Sequence, residues 1–249
     1  MSLLLHGDCL ELMKMIDDNS VDLIFCDLPY GQTSCKWDCR IDLDKFWIEV
    51  VRIKKINTPI FMTTTTKFGL SLLNSCPKKC PFRYDIVWVK SSCSGFLTSK
   101  MIPMRKHEMI YVFYEKLPFY DLSSHKPKFK KEIEFGDSCD SLYNNKGKSK
   151  TPIVKHGAKG ETTGQSRYDP PLPVSTLEIK STRGKHSTEK PVELISWILK
   201  YYSKEGHTVL DPTMGSGSTG VACKEMNRNF IGIEKDDEIY EGAVARLDL

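Results

Sequence analysis

The chain reads as an α/β protein built on a doubly wound, mostly parallel sheet, and three observations predict this. Short apolar runs alternate with stretches of helical period along most of the 249 residues, the pattern of strands joined by crossover helices. Val21 to Cys26 is continuously apolar apart from Asp22, as strands buried on both faces of a parallel sheet are. Thr208 to Leu210 runs into Asp211-Pro-Thr-Met-Gly-Ser-Gly-Ser-Thr-Gly220 and then into a helical stretch. A strand, a glycine turn and a helix start together form the place where α/β folds hold a nucleotide-like ligand.

Taken in order, Leu3 to Leu5 is a short strand, and Asp8 to Ile16 a helix with Leu10, Met13 and Ile16 on one face. After the strand Val21 to Cys26, the polar segment Gly31 to Arg40, with Trp37 inside it, reads as a loop at the mouth of a site. Asp44 to Lys54 has helical spacing through Phe46, Trp47, Val50, Val51 and Ile53. Pro59 to Thr64 returns to a strand, Phe68 to Leu73 to a helix, and Tyr84 to Val89 and Met109 to Tyr114 to strands rich in β-branched and aromatic residues. From Pro118 to Arg183 prolines, glycines, serines and asparagines break any long period, so this is a loop-rich insertion with short strands at most. Pro191 to Tyr202 is a helix, and Phe230 to Ile233 a strand ending at Glu234. No internal repeat is visible.

The length suits one α/β domain carrying an insertion better than two independent domains. A net charge of +4 is modest, but its distribution is not. Lysines cluster at Lys126, Lys128, Lys130 and Lys131, then at Lys146, Lys148 and Lys150, then at Lys155 and Lys159. A basic, irregular segment of this kind suits a phosphate backbone, whose neutralisation releases condensed counterions; a solvated surface loop is the plain alternative. The nine cysteines include the close pairs Cys35 and Cys39, and Cys76 and Cys80, neither at the two-residue spacing of a zinc knuckle. Reduced, mostly buried thiols are the expectation. With no secretory segment at Met1 and no apolar run of bilayer-spanning length, the reading is a soluble intracellular protein, with no membrane and no metal.

Two further segments complete the pattern. Val21-Asp-Leu-Ile-Phe-Cys-Asp-Leu-Pro-Tyr-Gly31 is a strand ending in a carboxylate, a proline and an aromatic, and His186-Ser-Thr-Glu-Lys-Pro191 precedes the glycine turn. In this order the segments resemble the permuted, beta-class amino-methyltransferases of DNA, in which the catalytic motif precedes the cofactor motif. The family's Asp-Pro-Pro-Tyr tetrapeptide stands here as Asp27, Leu28, Pro29 and Tyr30. Its Asp-Pro-Phe-x-Gly-Ser-Gly turn stands as Asp211 to Gly217, its His-x-Thr-x-Lys-Pro element as His186, Thr188, Lys190 and Pro191, and its early Gly-Asp as Gly7 and Asp8. The likeness runs through Trp88 to Lys90 and His107 with Glu108, up to about residue 116. Two departures stand out. Leu28 replaces a proline, tolerable where the position offers its backbone carbonyl, and Thr213 replaces the usual phenylalanine.

The resemblance implies a Rossmann-like S-adenosylmethionine-dependent methyltransferase fold. Residues 1–116 would form the catalytic half, 117–185 an inserted basic target-recognition region and 186–249 the cofactor-binding half. It implies a site-specific methyl transfer from S-adenosylmethionine to the N6 amine of an adenine extruded from double-stranded DNA, as in restriction-modification, and allows a homodimer. An exocyclic amine is a poor nucleophile because its lone pair is conjugated with the ring, and acceptors aimed at its hydrogens correct this. Asp27 and the Leu28 carbonyl would be those acceptors, Pro29 would stiffen the turn and Tyr30 would receive the extruded base. Asp211, Thr213 and the amides of Gly215, Ser216, Gly217 and Ser218 would meet the amino acid end of the cofactor, and Lys190 with Thr188 its carboxylate. Glu234, at a strand end, would accept from the ribose hydroxyls and Asp8 would face the adenine. Lys128, Lys130, Arg167 and Tyr168 are the candidates for DNA contact.

Asp27 as first residue of the tetrapeptide favours adenine over cytosine N4, since cytosine-specific relatives usually begin with serine. RNA and protein-amide methyltransferases share a similar tetrapeptide, and a non-enzymatic binding module retaining the cofactor remains a rival, although such a module would usually lose the acid or the aromatic. Cys26 reads as a buried strand residue, and His107 with Glu108 as a structural hydrogen-bonded pair.

Overall fold

The computed structural model describes residues 2–31, 39–128, 168–181 and 189–248. It divides into two compact units, one formed by Met1–Asp121 with Ser175–Leu249 and the other by Leu122–Val174.

The larger unit is an eight-stranded sheet. Its strands are β1 (Ser2–His6), β2 (Leu23–Cys26), β3 (Ile60–Thr64), β4 (Phe82–Ser94), β5 (Arg105–Phe113), β8 (Thr176–Glu178), β9 (Thr208–Asp211) and β10 (Asn229–Glu234). They are arranged β1-β10-β9-β2-β3-β5-β4-β8. Only β5 runs against the others. The doubly wound expectation is met, and β2 shows how the sequence produces it. Its four residues are all buried, with Leu23 and Phe25 entering one core and Ile24 and Cys26 the other.

The helices are divided accordingly. α1 (Cys9–Leu12), α2 (Leu43–Ile53) and α3 (Thr66–Ser75) cover the face of Ile24, and α4 (Val192–Tyr202), α5 (Ser218–Glu225) and α6 (Asp237–Leu247) the face of Leu23. In α2 the buried positions Phe46, Trp47, Val50 and Ile53 recur at helical spacing, and the Asp42 side chain accepts from the amides of Asp44 and Lys45 to cap the start.

Three elements differ from the sequence reading. The helix expected over Asp8 to Ile16 is the short α1 followed by a 3-10 turn at Met13–Met15, because the Asp8 carboxylate takes the Leu10 amide and starts the helix one residue later. β4 runs five residues past Val89, since the polar stretch Lys90 to Ser94 finds a partner strand in β5 without being buried. The helix α6 went unread: only Ala243 and Leu247 are fully buried, and Gly242 interrupts its period.

The second unit covers Leu122–Val174, narrower than the insertion expected over 117–185. β8 pairs in parallel with β4 and so belongs to the main sheet. Within the second unit, β6 (Lys126–Pro127) pairs antiparallel with β7 (Tyr168–Asp169), and the His125 ring lies 2.9 Å from the Pro170 carbonyl. No helix among the described residues is long and apolar enough to cross a membrane.

Candidate active site

β2 and β9 are neighbours and parallel, pairing Leu23 with Val209 and Ile24 with Leu210. Their carboxyl ends therefore reach the same edge of the sheet, and Asp27 and Asp211 emerge there together. This is also where strand order reverses direction, since β3 continues to one side of β2 and β9 to β10 and β1 on the other. Open α/β sheets bind ligands at such crevices. A cavity of about 710 Å³ opens at this point, lined among others by Asp8, Asp27, Pro29, Lys190, Asp211, Thr213, Gly215, Ser216, Ser218 and Glu234.

The Asp27 carboxylate is held on all sides. Its Oδ1 accepts from the Tyr30 hydroxyl at 2.9 Å and from the Thr63 hydroxyl, and its Oδ2 meets the Lys190 ammonium at 2.5 Å. Lys190 also lies 3.7 Å from Glu108 Oε2, and Glu108 is paired in turn with Lys90. Burial works against the Lys190 charge, but Asp27 and Glu108 outweigh it and raise its pKa, so the ion pair persists at neutral pH. Burial first, then the Asp27 charge, push the Tyr30 phenol well up, leaving it a neutral donor.

The glycine turn is built differently. Gly215 and Gly217 have φ of 52° and 81°, a left-handed conformation that a side chain would strain. A Cβ at Gly215 would meet nothing, so the backbone there is bare toward the cavity. Glu234 fixes the turn: its Oε2 accepts from the Gly215 amide at 3.0 Å, and its Oε1 from the amides of Lys235 and Asp236. Asp211 is buried, accepting from the Thr213 amide at 3.2 Å and the Thr219 hydroxyl at 2.5 Å. Burial pushes its pKa up to about 7 even though both hydrogen bonds pull it down.

Most residues singled out in the sequence meet at this one edge. Asp27, Pro29, Lys190, Asp211, Thr213, Gly215, Ser216, Ser218 and Glu234 line the cavity, as does Asp8, whose carboxylate caps α1 and pairs with Lys235 at 3.1 Å. Gly217 supplies the left-handed residue before α5. The Leu28 side chain is buried in the core, and the Tyr30 ring lies against Phe68 at 5.0 Å. Lys190, expected at a cofactor carboxylate, has its ammonium on Asp27. Lys128 is exposed and Tyr168 half-buried in the second unit, while Thr188, Lys130 and Arg167 lie outside the described residues.

The sequence reading missed several participants. Glu108 is bound to lysines at the site's edge, a correction to its assignment as a partner of His107; the reading stopped at the adjacent pair, although neighbours on a strand point to opposite faces. Thr63, at the end of β3, had no signal in its local sequence. Glu189 is half-buried with its side chain covered, accepting from the Ser218 hydroxyl at 3.0 Å and pairing with Arg246 at 2.7 Å. The Cys26 thiol is fully buried and pushed well up by burial, as a structural strand residue should be.

Comparison with known proteins gives the family. The model of a family described as DNA methylase, of the N6/N4 type, matches residues 21–245. The chain belongs to this DNA methylase family. It is 28% identical over 251 residues to the type II methyltransferase M.HinfI of Haemophilus influenzae, covering 98% of this chain and 67% of the relative. It is likewise 28% identical to the type II methyltransferase M2.MboI of Moraxella bovis, covering 95% of this chain and 84% of that one. Among solved structures, the M1.HpyAVI–SAM complex superposes with a TM-score of 0.65 at 22% identity, covering 99% of this chain and all of the other. The cytosine-N4-specific PvuII DNA methyltransferase gives 0.67 at 13% identity, covering 98% and 86%. This methylase thus has the methyltransferase fold, and its substrate is DNA.

Proposed function

We propose that this methylase transfers a methyl group from S-adenosylmethionine to the N6 amine of an adenine extruded from duplex DNA, at a specific sequence, as part of restriction-modification inside the cell. The observation that carries the reading is the shared cavity of Asp27 and Asp211 at the ends of two adjacent parallel strands.

The residues present fit the cofactor. About 710 Å³ is of the size that small-molecule sites have, and the cavity joins a bare glycine turn to three carboxylates of distinct environment, Asp8, Asp211 and Glu234. Asp211 suits the ammonium of the cofactor's amino acid end and Glu234 its ribose hydroxyls; the Gly215 and Gly217 amides are taken by Glu234 and the Met214 carbonyl, so the amides of Ser216 and Ser218 are the ones to meet its carboxylate. Bound there, the cofactor supplies an electrophilic methyl group.

Asp27 does the work on the substrate. Its carboxylate is fixed by Tyr30, Thr63 and Lys190 before any base arrives, so no reorganisation is needed when it accepts from the target amine. With the Leu28 carbonyl as second acceptor, the amine is drawn toward tetrahedral geometry and its lone pair is freed. The methylated amine is strongly acidic, so its proton can leave after transfer without an unusually strong base. Pro29 holds the turn at the cavity wall, and Tyr30 offers the aromatic face against which an extruded base rests. Lys128, Lys130, Arg167 and Tyr168, within the inserted region, are proposed to contact the DNA, with the region as the reader of sequence.

Cytosine N4 is the second reading, because the family covers both amines; Asp27 at the head of the tetrapeptide favours adenine. The test is transfer of a tritiated methyl group to unmethylated DNA, RNA and a protein mixture, followed by mass spectrometry of the product bases. N6-methyladenine in DNA alone is the expected product. Label in RNA or protein, or N4-methylcytosine in DNA, would overturn the assignment.

A further inference from the structure

The β4–β5 hairpin ends in the most exposed apolar group of the described chain. Within nine residues, Phe96 is 80% exposed, Leu97 96% and Met101 78%, with Ile102 and Met104 also exposed. Exposed clusters of large apolar side chains mark interaction surfaces. The hairpin's charge says which kind. From Lys90 to His107 it carries Lys90, Lys100, Arg105 and Lys106 and no Asp or Glu. Lys100, Arg105 and Lys106 are exposed and without an ion-pair partner among the described residues.

Its position is as informative as its composition. β4 runs parallel to β2 through the intervening strands, so its carboxyl end leaves the sheet at the edge where Asp27 lies. Trp88 pairs with Glu108, and Glu108 holds Lys90 and approaches Lys190, which holds Asp27. The root of the hairpin therefore belongs to the active-site edge. The strand continues from Val89 to Ser94, about 16 Å at the usual rise per residue, before Gly95 turns it with φ of 90° into the apolar tip.

We propose that this hairpin is a second DNA-engaging element, distinct from the inserted region. Phe96 and Leu97 pack against the bases unstacked beside the extruded nucleotide, and Lys100, Arg105 and Lys106 lie on the flanking phosphates. The inference rests on the DNA-methylating function proposed above. An apolar wedge beside a kinked or opened base step, flanked by cations, combines the two terms that favour opened DNA: cover for the unstacked faces and neutralisation of the backbone.

The test measures affinity of the full chain by fluorescence anisotropy for two labelled random-sequence duplexes, one intact and one with a few mispaired central positions. Phe96→Ser with Leu97→Ser should weaken binding to the mispaired duplex roughly tenfold, the loss expected for missing stacking contacts, and affect the intact duplex less. Lys100→Ala, Arg105→Ala and Lys106→Ala together should weaken both and reduce the salt slope by about 2 to 3. Since these side chains are exposed, melting temperatures should match wild type. Unchanged affinity of the apolar double variant for the mispaired duplex would overturn the proposal. So would a wild-type dimer that this variant turns into a monomer with DNA affinity intact, because the tip would then belong to a second copy of the chain. Methyl transfer is assayed separately on the wild type, so binding without transfer counts against the proposed function and not against the hairpin.

Discussion

The Thr213 hydroxyl donates to the main-chain carbonyl of Asp27 at 3.1 Å, tying together two turns that lie 186 residues apart in the chain. Thr213 stands where the family usually has phenylalanine, which has no donor to offer. Here the side chain locks the acid turn to the glycine turn, while its amide engages Asp211. Thr213→Val keeps the shape and removes the donor. It should cost about 1 kcal/mol of stability, and turnover should fall several-fold as the two turns loosen. Equal turnover and melting temperature would remove this linking role.

Lys190 is the neighbour that orders Asp27. Lys190 and Asp27 are half-buried at the cavity wall, so losing one partner costs less than in a fully buried pair, about 1 to 3 kcal/mol. Lys190→Met should therefore destabilise the fold by about that amount and lower turnover well beyond the loss in cofactor affinity. Glu108→Gln should act in the same direction but more weakly, since Glu108 reaches Lys190 only at 3.7 Å. Chemical denaturation and steady-state kinetics on both variants check this order.

Asp211 gives a pH dependence. Its folded pKa is raised to about 7, above the ordinary carboxylate value, so the native state favours the protonated form. Stability from this group is present below the unfolded value and lost as pH rises toward about 7. Binding of an ammonium-bearing cofactor demands the opposite, an ionised Asp211. Calorimetric affinity for S-adenosylmethionine should rise as pH is brought from about 5.5 through 7, and Asp211→Asn should flatten the rise. A flat wild-type profile would dissociate Asp211 from the cofactor's amino group.

Glu234 has two duties, accepting three amides of the turn and facing the cavity. Glu234→Ala should lower cofactor affinity by roughly tenfold or more, the loss of hydrogen bonds to a charged group. Titration calorimetry with an unaltered constant would leave it a purely structural cap.

Much of this was legible in the sequence, for physical reasons. The continuous apolarity of Val21 to Cys26 and the helical spacing of Phe46, Trp47, Val50 and Ile53 come from burial, which leaves a local signature. The Asp27 and Asp211 turns were readable because strand ends, prolines and glycines are local features. What stayed hidden was non-local: Thr63, Glu108 and Glu189 take their roles from partners far along the chain. The outer part of β4 was hidden too, because its polar residues are mostly exposed and its register with β5 shifts between Val89 and Ser94.

The account stands on Asp27 as the group that readies the substrate amine. The direct measurement is Asp27→Ala assayed twice on one preparation, for methyl transfer to DNA and for binding of S-adenosylmethionine by calorimetry. Transfer should fall by about 100-fold or more while cofactor affinity stays within a few-fold of wild type. Transfer at the wild-type rate in the alanine variant would contradict the account.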